Sequence, residues 1–283
     1  MIQKPTSSGL RFVLDRLMRR QRMRSIANWA DIVFLDFLDR MQAEVTYASP
    51  KPVFLRIHRY ELDHPELFDL VNWNNVSAVI AVSQHYAKAL RSLVPKQVPI
   101  EVIPPGVVVR RWPFHPSDSQ KLCTWAIPTG RKRIYSLMLA LRDYTLYIGG
   151  WSAKDRILIE TNQRLGLKHV LEPDVEFPQW QWDKEFYIHH ASDESFGVAI
   201  GEAMLSGLIP LVHQLPCVLE YLPKDLTYIM DAELIELIER MRSMPIEERD
   251  ALKVRLRKII VDDYSSDVTA KMMQDVFDKY SEV

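Results

Sequence analysis

The chain has 283 residues, of which 47% are hydrophobic and 26% are charged, and its formal net charge is -1. This composition is typical of a soluble globular protein, and the length suits one large domain or two ordinary ones. The near-zero charge argues against a nucleic acid partner. Two cysteines, Cys123 and Cys217, form neither a disulfide framework nor a metal-binding pattern, so we expect a cytoplasmic protein.

The N-terminal segment 10–24, LRFVLDRLMRRQRMR, combines six arginines with apolar residues at helical spacing. This pattern is typical of a first helix that packs on a sheet and keeps its arginines in solvent. Basic amphipathic helices also lie on anionic membranes. We favour the packed helix, and peripheral membrane contact through 10–24 stays open. The sequence contains no signal-peptide core and no apolar run near the roughly 18 residues of a membrane span.

Short apolar runs alternate with helical patterns along the rest of the chain. Strands separated by helices form parallel sheets that are covered on both faces. The sequence therefore predicts an α/β protein. Its predicted strands are 31–38, 52–58, 77–83 and 98–106 in the first half, and 144–150, 185–191 and 208–214 in the second.

A change of composition marks the predicted domain boundary. The stretch that begins at Pro104, PPGVVVRRWPFHPSDS, holds four prolines and ends in serines, which is typical of a linker. We place the boundary near residue 115. The predicted parts are an N-terminal domain over 1–115, a C-terminal domain over 116–263, and a C-terminal helix over 264–283 that braces the two domains.

The stretch 189–213, HHASDESFGVAIGEAMLSGLIPLVH, carries Glu194 and Glu202 in a segment otherwise suited to burial. A buried carboxylate costs several kcal/mol unless it is paired or binds a ligand. The pattern predicts a strand, a turn, and then a helix from about Gly197 to Ser206 that ends at Gly207. Glu194 then lies before the helix, and Glu202 lies within it.

The spacing of these two acids decides between two kinds of chemistry. At about 1.5 Å per helical residue, they lie roughly 12 Å apart, whereas hydrolytic carboxylate pairs lie about 5 to 9.5 Å apart. We expect Glu194 and Glu202 to hold two ends of an extended ligand. Each glutamate alone also fits a structural role, in the helix dipole or in a salt bridge. The backbone N–H groups of Phe196, Gly197 and Val198 suit a phosphate or a sugar hydroxyl.

The segment ESFGVAIGEAMLSGLIPLV resembles the E-x7-E signature of retaining GT-B glycosyltransferases of the family 4 type. Further segments resemble this family in order and spacing, and the resemblance covers 77–222. It implies a GT-B fold, with two Rossmann-like domains and a nucleotide-sugar in the cleft between them. The further segments are 78–93, 101–107, 131–141 and 144–150.

The resemblance also implies a reaction: retaining transfer of a sugar from a UDP- or GDP-linked donor to a saccharide or lipid-linked acceptor, without a cofactor or metal. The implied catalytic residues are His58, near the reacting sugar, and Glu194, which holds the transferred sugar. Glu202 would bind the ribose hydroxyls. The remaining implied donor-binding residues are Gly9, the diphosphate-binding Arg131 and Lys132, and the loop residues Ser195, Phe196, Gly197 and Val198.

The chain departs from the family in two places. Ile127 stands where the family has an arginine, so Arg131 or Arg133 takes that role. The first domain is reduced, with Ser8 and Gly9 in place of a glycine-rich loop. Two alternatives stay open: a nucleotide-sugar epimerase, which would share the fold, and a non-catalytic nucleotide-sugar-binding subunit, which the reduced first domain suggests.

Two further segments of the sequence contain clustered histidines. His189 and His190 are adjacent on a predicted strand, so their side chains point to opposite faces and do not share a metal ion. We interpret both as structural. The segment 58–66, HRYELDHPE, is typical of a solvated loop in which His58 and Glu61 are the cleft candidates.

Overall fold

The computed structural model describes residues 21–281, so Gly9 and most of the segment 10–24 lie outside it. Contacts divide the described chain into two compact units. One comprises the residues up to Pro104 together with those from Lys271 onwards, and the other is Pro105–Ala270. No helix in residues 21–281 has the length and apolar character that crossing a bilayer requires.

The first unit contains a parallel sheet of four strands in the order β1-β2-β3-β4. Its strands are β1 (Val33–Asp36), β2 (Val53–Ile57), β3 (Val76–Ala81) and β4 (Ile100–Val102). Its helices are α1 (21–29), α2 (Arg40–Ala48) and α3 (Gln84–Leu90). Local capping fixes two helix starts, because Asp39 forms a capping box with Gln42 at α2 and Ser83 accepts from the Tyr86 amide at α3.

One face of this sheet is completed by the last helix, α9 (Ser266–Ser281). Val276 of α9 belongs to the same buried cluster as Phe54 and Ile80, and Phe277 meets Phe54 edge-on with ring centroids 4.8 Å apart. The C-terminal residues are therefore part of the first unit's core.

The second unit contains a parallel sheet of six strands in the order β10-β9-β8-β5-β6-β7. Its strands are β5 (Leu122–Trp125), β6 (Leu146–Gly149), β7 (Val170–Glu172), β8 (Phe186–His189), β9 (Ile209–His213) and β10 (Thr227–Tyr228). Its helices are α4 (Ile134–Ala140), α5 (Arg156–Arg164), α6 (Val198–Ser206), α7 (Asp231–Ser243) and α8 (Ile246–Asp263).

The strand order of the second unit reverses between β5 and β8. From β5 the chain moves to β6 on one side, and from β8 it moves to β9 on the other. Helices cover both faces of such a sheet, and all four residues of β5 and of β8 are accordingly buried. Open α/β sheets bind ligands at this switch point, outside the carboxyl ends of the strands.

A buried ion cluster attaches α8 to the start of β8. The carboxylate of Glu185 is fully buried, and its Oε1 lies 2.8 Å from both Arg249 Nε and Lys253 Nζ. Its Oε2 accepts a hydrogen bond from the Gln120 amide at 3.0 Å. Asp250 Oδ1 lies 3.0 Å from Lys253 Nζ and supplies a second negative charge, so each buried charge is paired, which is the condition for a charged group in a core.

The prediction of an α/β protein with parallel sheets is confirmed, and the seven predicted strands correspond to β1–β4, β6, β8 and β9. The sequence missed β5, β7 and β10, which are only 4, 3 and 2 residues long. The predicted boundary near residue 115 lies inside the second unit, ten residues after that unit begins.

Candidate functional site

Two loops meet at the switch point of the second unit. The loop after β5 forms a 3-10 turn over Gly130–Lys132, and the loop after β8 runs through Asp193 to the start of α6. Arg131 Nη1 donates to the Asp193 carbonyl at 2.6 Å, and the Ser192 amide donates to the Arg131 carbonyl at 2.9 Å. These bonds hold the two loops together where a ligand of this fold class binds.

Gly197 begins helix α6 in a conformation that favours glycine. Its φ is +86°, and a Cβ at this position would lie 2.7 Å from Ile200 Cδ1. Gly207 ends the helix at φ +92°. The predicted helix from about Gly197 to Ser206, with Gly207 at its end, therefore agrees with the observed α6.

Glu194 lies in the second loop with only 8% of its surface exposed, and three side chains surround its carboxylate. Arg131 Nη1 is 3.0 Å from Oε2, His189 Nε2 is 3.1 Å from Oε1, and Lys132 Nζ also binds Oε1. Burial alone would raise the pKa of Glu194, but the hydrogen bond from His189 and the charge of Lys132 outweigh it and hold this pKa well below the ordinary value. Glu194 is therefore ionised at neutral pH.

The His189 ring is oriented by Tyr187. Tyr187 OH lies 3.0 Å from His189 Nδ1, and burial lowers the pKa of His189, so the ring is neutral. A neutral ring that accepts from Tyr187 at Nδ1 carries its proton on Nε2 and donates it to Glu194. The sequence interpretation of His189 as structural missed this contact. The available signal was its position at the carboxyl end of a strand, five residues before Glu194.

Glu202, on helix α6, has a different environment from Glu194. It is half-buried, and in residues 21–281 no lysine or arginine forms an ion pair with it. Burial raises its pKa to about 7, against the opposing effects of a hydrogen bond from Trp125 and the charge of Arg111. A carboxylate without a cation suits a ligand that donates hydroxyl groups, which is the chemistry expected of a ribose.

The structure brings together most of the predicted donor-binding residues of the second unit. Arg131 and Lys132 both contact Glu194, so two cations face one carboxylate and leave one net positive charge for a ligand. Phe196 is buried with its ring stacked on Tyr221 at 4.8 Å, and Tyr221 OH donates to the Phe196 carbonyl. Phe196 therefore packs the loop, while Ser195 and Val198 flank it at the start of α6.

The remaining predicted catalytic residue, His58, belongs to the first unit. Its Nε2 lies 2.8 Å from Asp36 Oδ1, and its ring stacks on Phe37 at 4.0 Å. Glu61, the neighbouring cleft candidate, is fully buried and accepts from the Leu38 and His58 amides. Glu61 therefore has a structural role, and the position of His58 near a reacting sugar stays a prediction.

No protein-family description and no curated protein sequence matches the chain. Among solved structures, it is similar to HepE of Anabaena bound to UDP and glucose, with 18% identity and a TM-score of 0.75 over 93% of this chain and 81% of that one. Sucrose-phosphate synthase from Thermosynechococcus elongatus matches with 13% identity and a TM-score of 0.75, over 98% and 80% of the two chains. The apo lipopolysaccharide outer core galactosyltransferase WaaB matches with 16% identity and a TM-score of 0.65, over 94% and 81%. The chain therefore has the two-domain α/β fold of GT-B proteins.

Proposed function

We propose that the chain is a glycosyltransferase that transfers a sugar from a UDP-linked donor to a saccharide or lipid-linked acceptor. The observation that carries the proposal is the buried Glu194 carboxylate, held by Arg131, Lys132 and His189 at the switch point and followed eight residues later by Glu202. Support comes from the fold it shares with HepE, whose solved structures contain UDP and UDP-glucose.

Each glutamate has a separate role in this proposal. Glu202 accepts hydrogen bonds from the ribose hydroxyls, and it does so with both carboxylate oxygens in its ionised form. Glu194 is ionised before the ligand arrives, and its carboxylate accepts from hydroxyls of the transferred sugar. Because Arg131, Lys132 and His189 already fix its orientation, little reorganisation is needed when the sugar binds.

The departing nucleoside diphosphate develops negative charge that the site has to stabilise. Arg131 and Lys132 supply one positive charge beyond what Glu194 neutralises. The first backbone N–H groups of α6, after Gly197, add partial positive charge. We propose that these groups serve in place of a divalent metal, and that the leaving phosphate deprotonates the acceptor on the same face of the sugar, with retention of configuration.

Two measurements test these finer points. Transfer in excess EDTA should equal transfer in magnesium, and proton NMR of the first product formed should show the anomeric configuration of the donor. Activity that magnesium or manganese restores would exclude metal independence. An inverted product would exclude retention.

The proposal as a whole is tested by turnover of UDP-glucose without an added acceptor, since transfer to water requires the complete donor site. The wild type should release UDP slowly, and Glu194→Gln should not. Glu160→Gln is the matched control, because Glu160 is an exposed glutamate on α5 in the same unit. Absence of UDP release by wild-type protein that binds UDP-glucose would exclude catalysis.

That last outcome would instead favour a non-catalytic nucleotide-sugar-binding subunit. The observation in favour of this second candidate is the first unit's sheet, which has four strands in residues 21–281.

A same-fold epimerase would convert UDP-glucose into a different UDP-linked species, which NMR of the mixture detects. Sedimentation with anionic vesicles, with and without residues 1–24, tests the alternative that segment 10–24 contacts a membrane rather than packing as a helix.

A further inference from the structure

A second polar cluster lies at the same edge of the sheet, on the side of β8 opposite Glu194. His189 points to Glu194, whereas His190 points away from it, and His190 Nδ1 lies 2.8 Å from Tyr228 OH. Arg133 Nε donates to the His190 carbonyl at 2.7 Å, and the His213 ring lies 6.0 Å from the His190 ring. The cluster therefore consists of Arg133, His190, His213 and Tyr228.

Two nitrogen atoms of this cluster are buried without a hydrogen-bond partner: Arg133 Nη2 and His213 Nδ1. Buried polar groups are almost always paired, because an unpaired one costs about 1–3 kcal/mol. Arg133 also forms no ion pair with any acid in residues 21–281. Asp231 is exposed and lies 3.8 Å from His190 Nε2.

Arg133 gives the cluster a positive charge that no ion-paired carboxylate in residues 21–281 neutralises, although the exposed Asp231 contributes negative charge nearby. Burial, followed by the charge of Arg133, lowers the pKa of His190 to about 3, and the same two causes lower the pKa of His213. Both rings are therefore neutral near pH 7, and Arg133 supplies the charge. Arg131 and Lys132 differ, because both are paired with the carboxylate of Glu194.

The backbone conformation of Arg133 would suit glycine better than arginine. We infer that an arginine occupies this position because of its guanidinium group and not because of the turn. Arg133 begins helix α4 in the left-handed region, with φ +50° and ψ +33°. Glycine takes this conformation without strain, whereas a long side chain does not. Strained side chains cluster at ligand sites, where their position is part of the function.

The cluster lies in line with the proposed donor site. Glu202 meets Trp125 at the end of β5, Glu194 meets His189 at the end of β8, and the cluster continues to His213 at the end of β9. Adjacent strands are about 4.8 Å apart, so β9 lies about 10 Å from β5 along this edge. A donor whose nucleoside lies at Glu202 and whose sugar lies at Glu194 extends towards the cluster.

We propose that the Arg133 cluster binds an oxyanion, a carboxylate or phosphate, carried on the distal side of the donor sugar. This inference rests on the proposed donor site. Arg133 Nη2 donates to the anion in a charge-assisted hydrogen bond, and His213 Nδ1 accepts from a neighbouring sugar hydroxyl. The chain would thus prefer an acidic nucleotide-sugar over its neutral counterpart.

Calorimetry with UDP-glucuronate and UDP-glucose tests the preference, since these donors differ only at C6, where the first has a carboxylate and the second a hydroxymethyl group. The wild type should bind UDP-glucuronate about 10- to 100-fold more tightly, the range of one charge-assisted hydrogen bond. Arg133→Gly should bring the ratio of the two dissociation constants close to 1. This variant relaxes the left-handed backbone but also loses the hydrogen bond from Arg133 Nε to the His190 carbonyl, so thermal unfolding is measured to establish that it is folded before the ratio is compared.

Arg142→Met is the control, because Arg142 follows α4, the same helix, and is 73% exposed. It should keep the wild-type ratio. If Arg133 contacts the diphosphate instead, Arg133→Gly weakens both donors equally and the ratio stays unchanged, which overturns the inference. A wild-type ratio of 1 also overturns it.

A nucleotide-free arm separates this inference from the proposed function. NMR signals of the His190 and His213 rings should shift on addition of free glucuronate in the wild type, and not in Arg133→Gly. If neither UDP-linked donor binds but this shift is seen, the proposed function fails and the anion site stands. Shifts with inorganic phosphate, without selectivity between the two donors, identify a free-anion site and overturn the link to the sugar. No shift with either anion, together with no donor selectivity, overturns the site.

Discussion

Glu194 and Glu202 belong to one continuous stretch of sequence, yet their environments are opposite. Glu194 is paired with two cations and a histidine, which hold its pKa low. Glu202 forms no ion pair with a lysine or arginine in the described residues, and burial raises its pKa to about 7 against the charge of Arg111. The difference indicates that Glu194 is charged before a ligand arrives, whereas Glu202 becomes fully charged only when a ligand stabilises its ionised form.

A third carboxylate, Glu185, provides the structural reference for this comparison. Like Glu194 it contacts two cations, Arg249 and Lys253, but it lies at the start of β8, away from the loops. Glu185→Gln should destabilise the fold by about 3–5 kcal/mol, because it leaves two buried cations without their shared carboxylate. Urea unfolding measures this, with Glu160→Gln as the control. A loss below about 1 kcal/mol would mean that the cluster does not stabilise the fold.

Glu194→Gln should have the next largest effect, and on turnover. Release of UDP from UDP-glucose should fall about 100- to 1000-fold, as when one preorganised group of an active site is removed. Affinity for UDP should stay within about threefold, because Arg131 and Lys132 remain available to the diphosphate. Steady-state kinetics measures the turnover, and calorimetry measures the affinity for UDP. Equal losses of turnover and UDP affinity would assign Glu194 to the nucleotide rather than the sugar.

Glu202→Gln should reduce UDP affinity about 10- to 100-fold, because the amide replaces a charged acceptor of the ribose hydroxyls. Wild-type affinity for UDP-glucose should also rise between pH 6 and pH 8, since Glu202 loses its proton near pH 7. The variant should lack this dependence. An identical pH profile in both proteins would assign the titration to another group.

The smallest expected effect is the change in folding stability with pH. The pKa of Glu202 is raised and that of Glu194 is lowered, so the two residues change stability in opposite directions as pH rises. The folded state binds the Glu202 proton more tightly than the unfolded chain, whose model value is 4.5, so this residue costs stability as pH rises through about 7. Glu202→Gln should therefore stabilise the protein by about 1–2 kcal/mol at pH 8, after allowance for solvent screening. The gain should vanish below pH 5. Thermal unfolding across this range measures it, and a variant less stable than wild type at pH 8 would contradict the assignment.

The features that could be predicted from the sequence are those set by residues close together in the chain. Gly197 and Gly207 fix the two ends of α6, and glycine is a helix-boundary signal that can be recognised in the sequence. Alternation at His189 and His190 placed their side chains on opposite faces, as the structure has them. These features depend on near neighbours in the chain.

What escaped prediction depends on distant partners. Lys132 and Glu194 are 62 positions apart, so the residue spacing of helices and strands does not predict that they form an ion pair. The ion cluster joins Glu185 to Arg249, 64 positions away. The strand β5 was missed because its extent is set by pairing with β6 and β8, which are distant in the chain.

The packing of α9 on the first unit also has a consequence for the order of biosynthesis. The second unit, Pro105–Ala270, is continuous in sequence, so all of its strands have been synthesised before Lys271 is added. The first unit begins earlier but lacks Val276 and Phe277 until the last helix is translated. Phe54 and Ile80 cannot be fully buried until those two side chains are present. The unit that is synthesised first is therefore the one that completes its folding last.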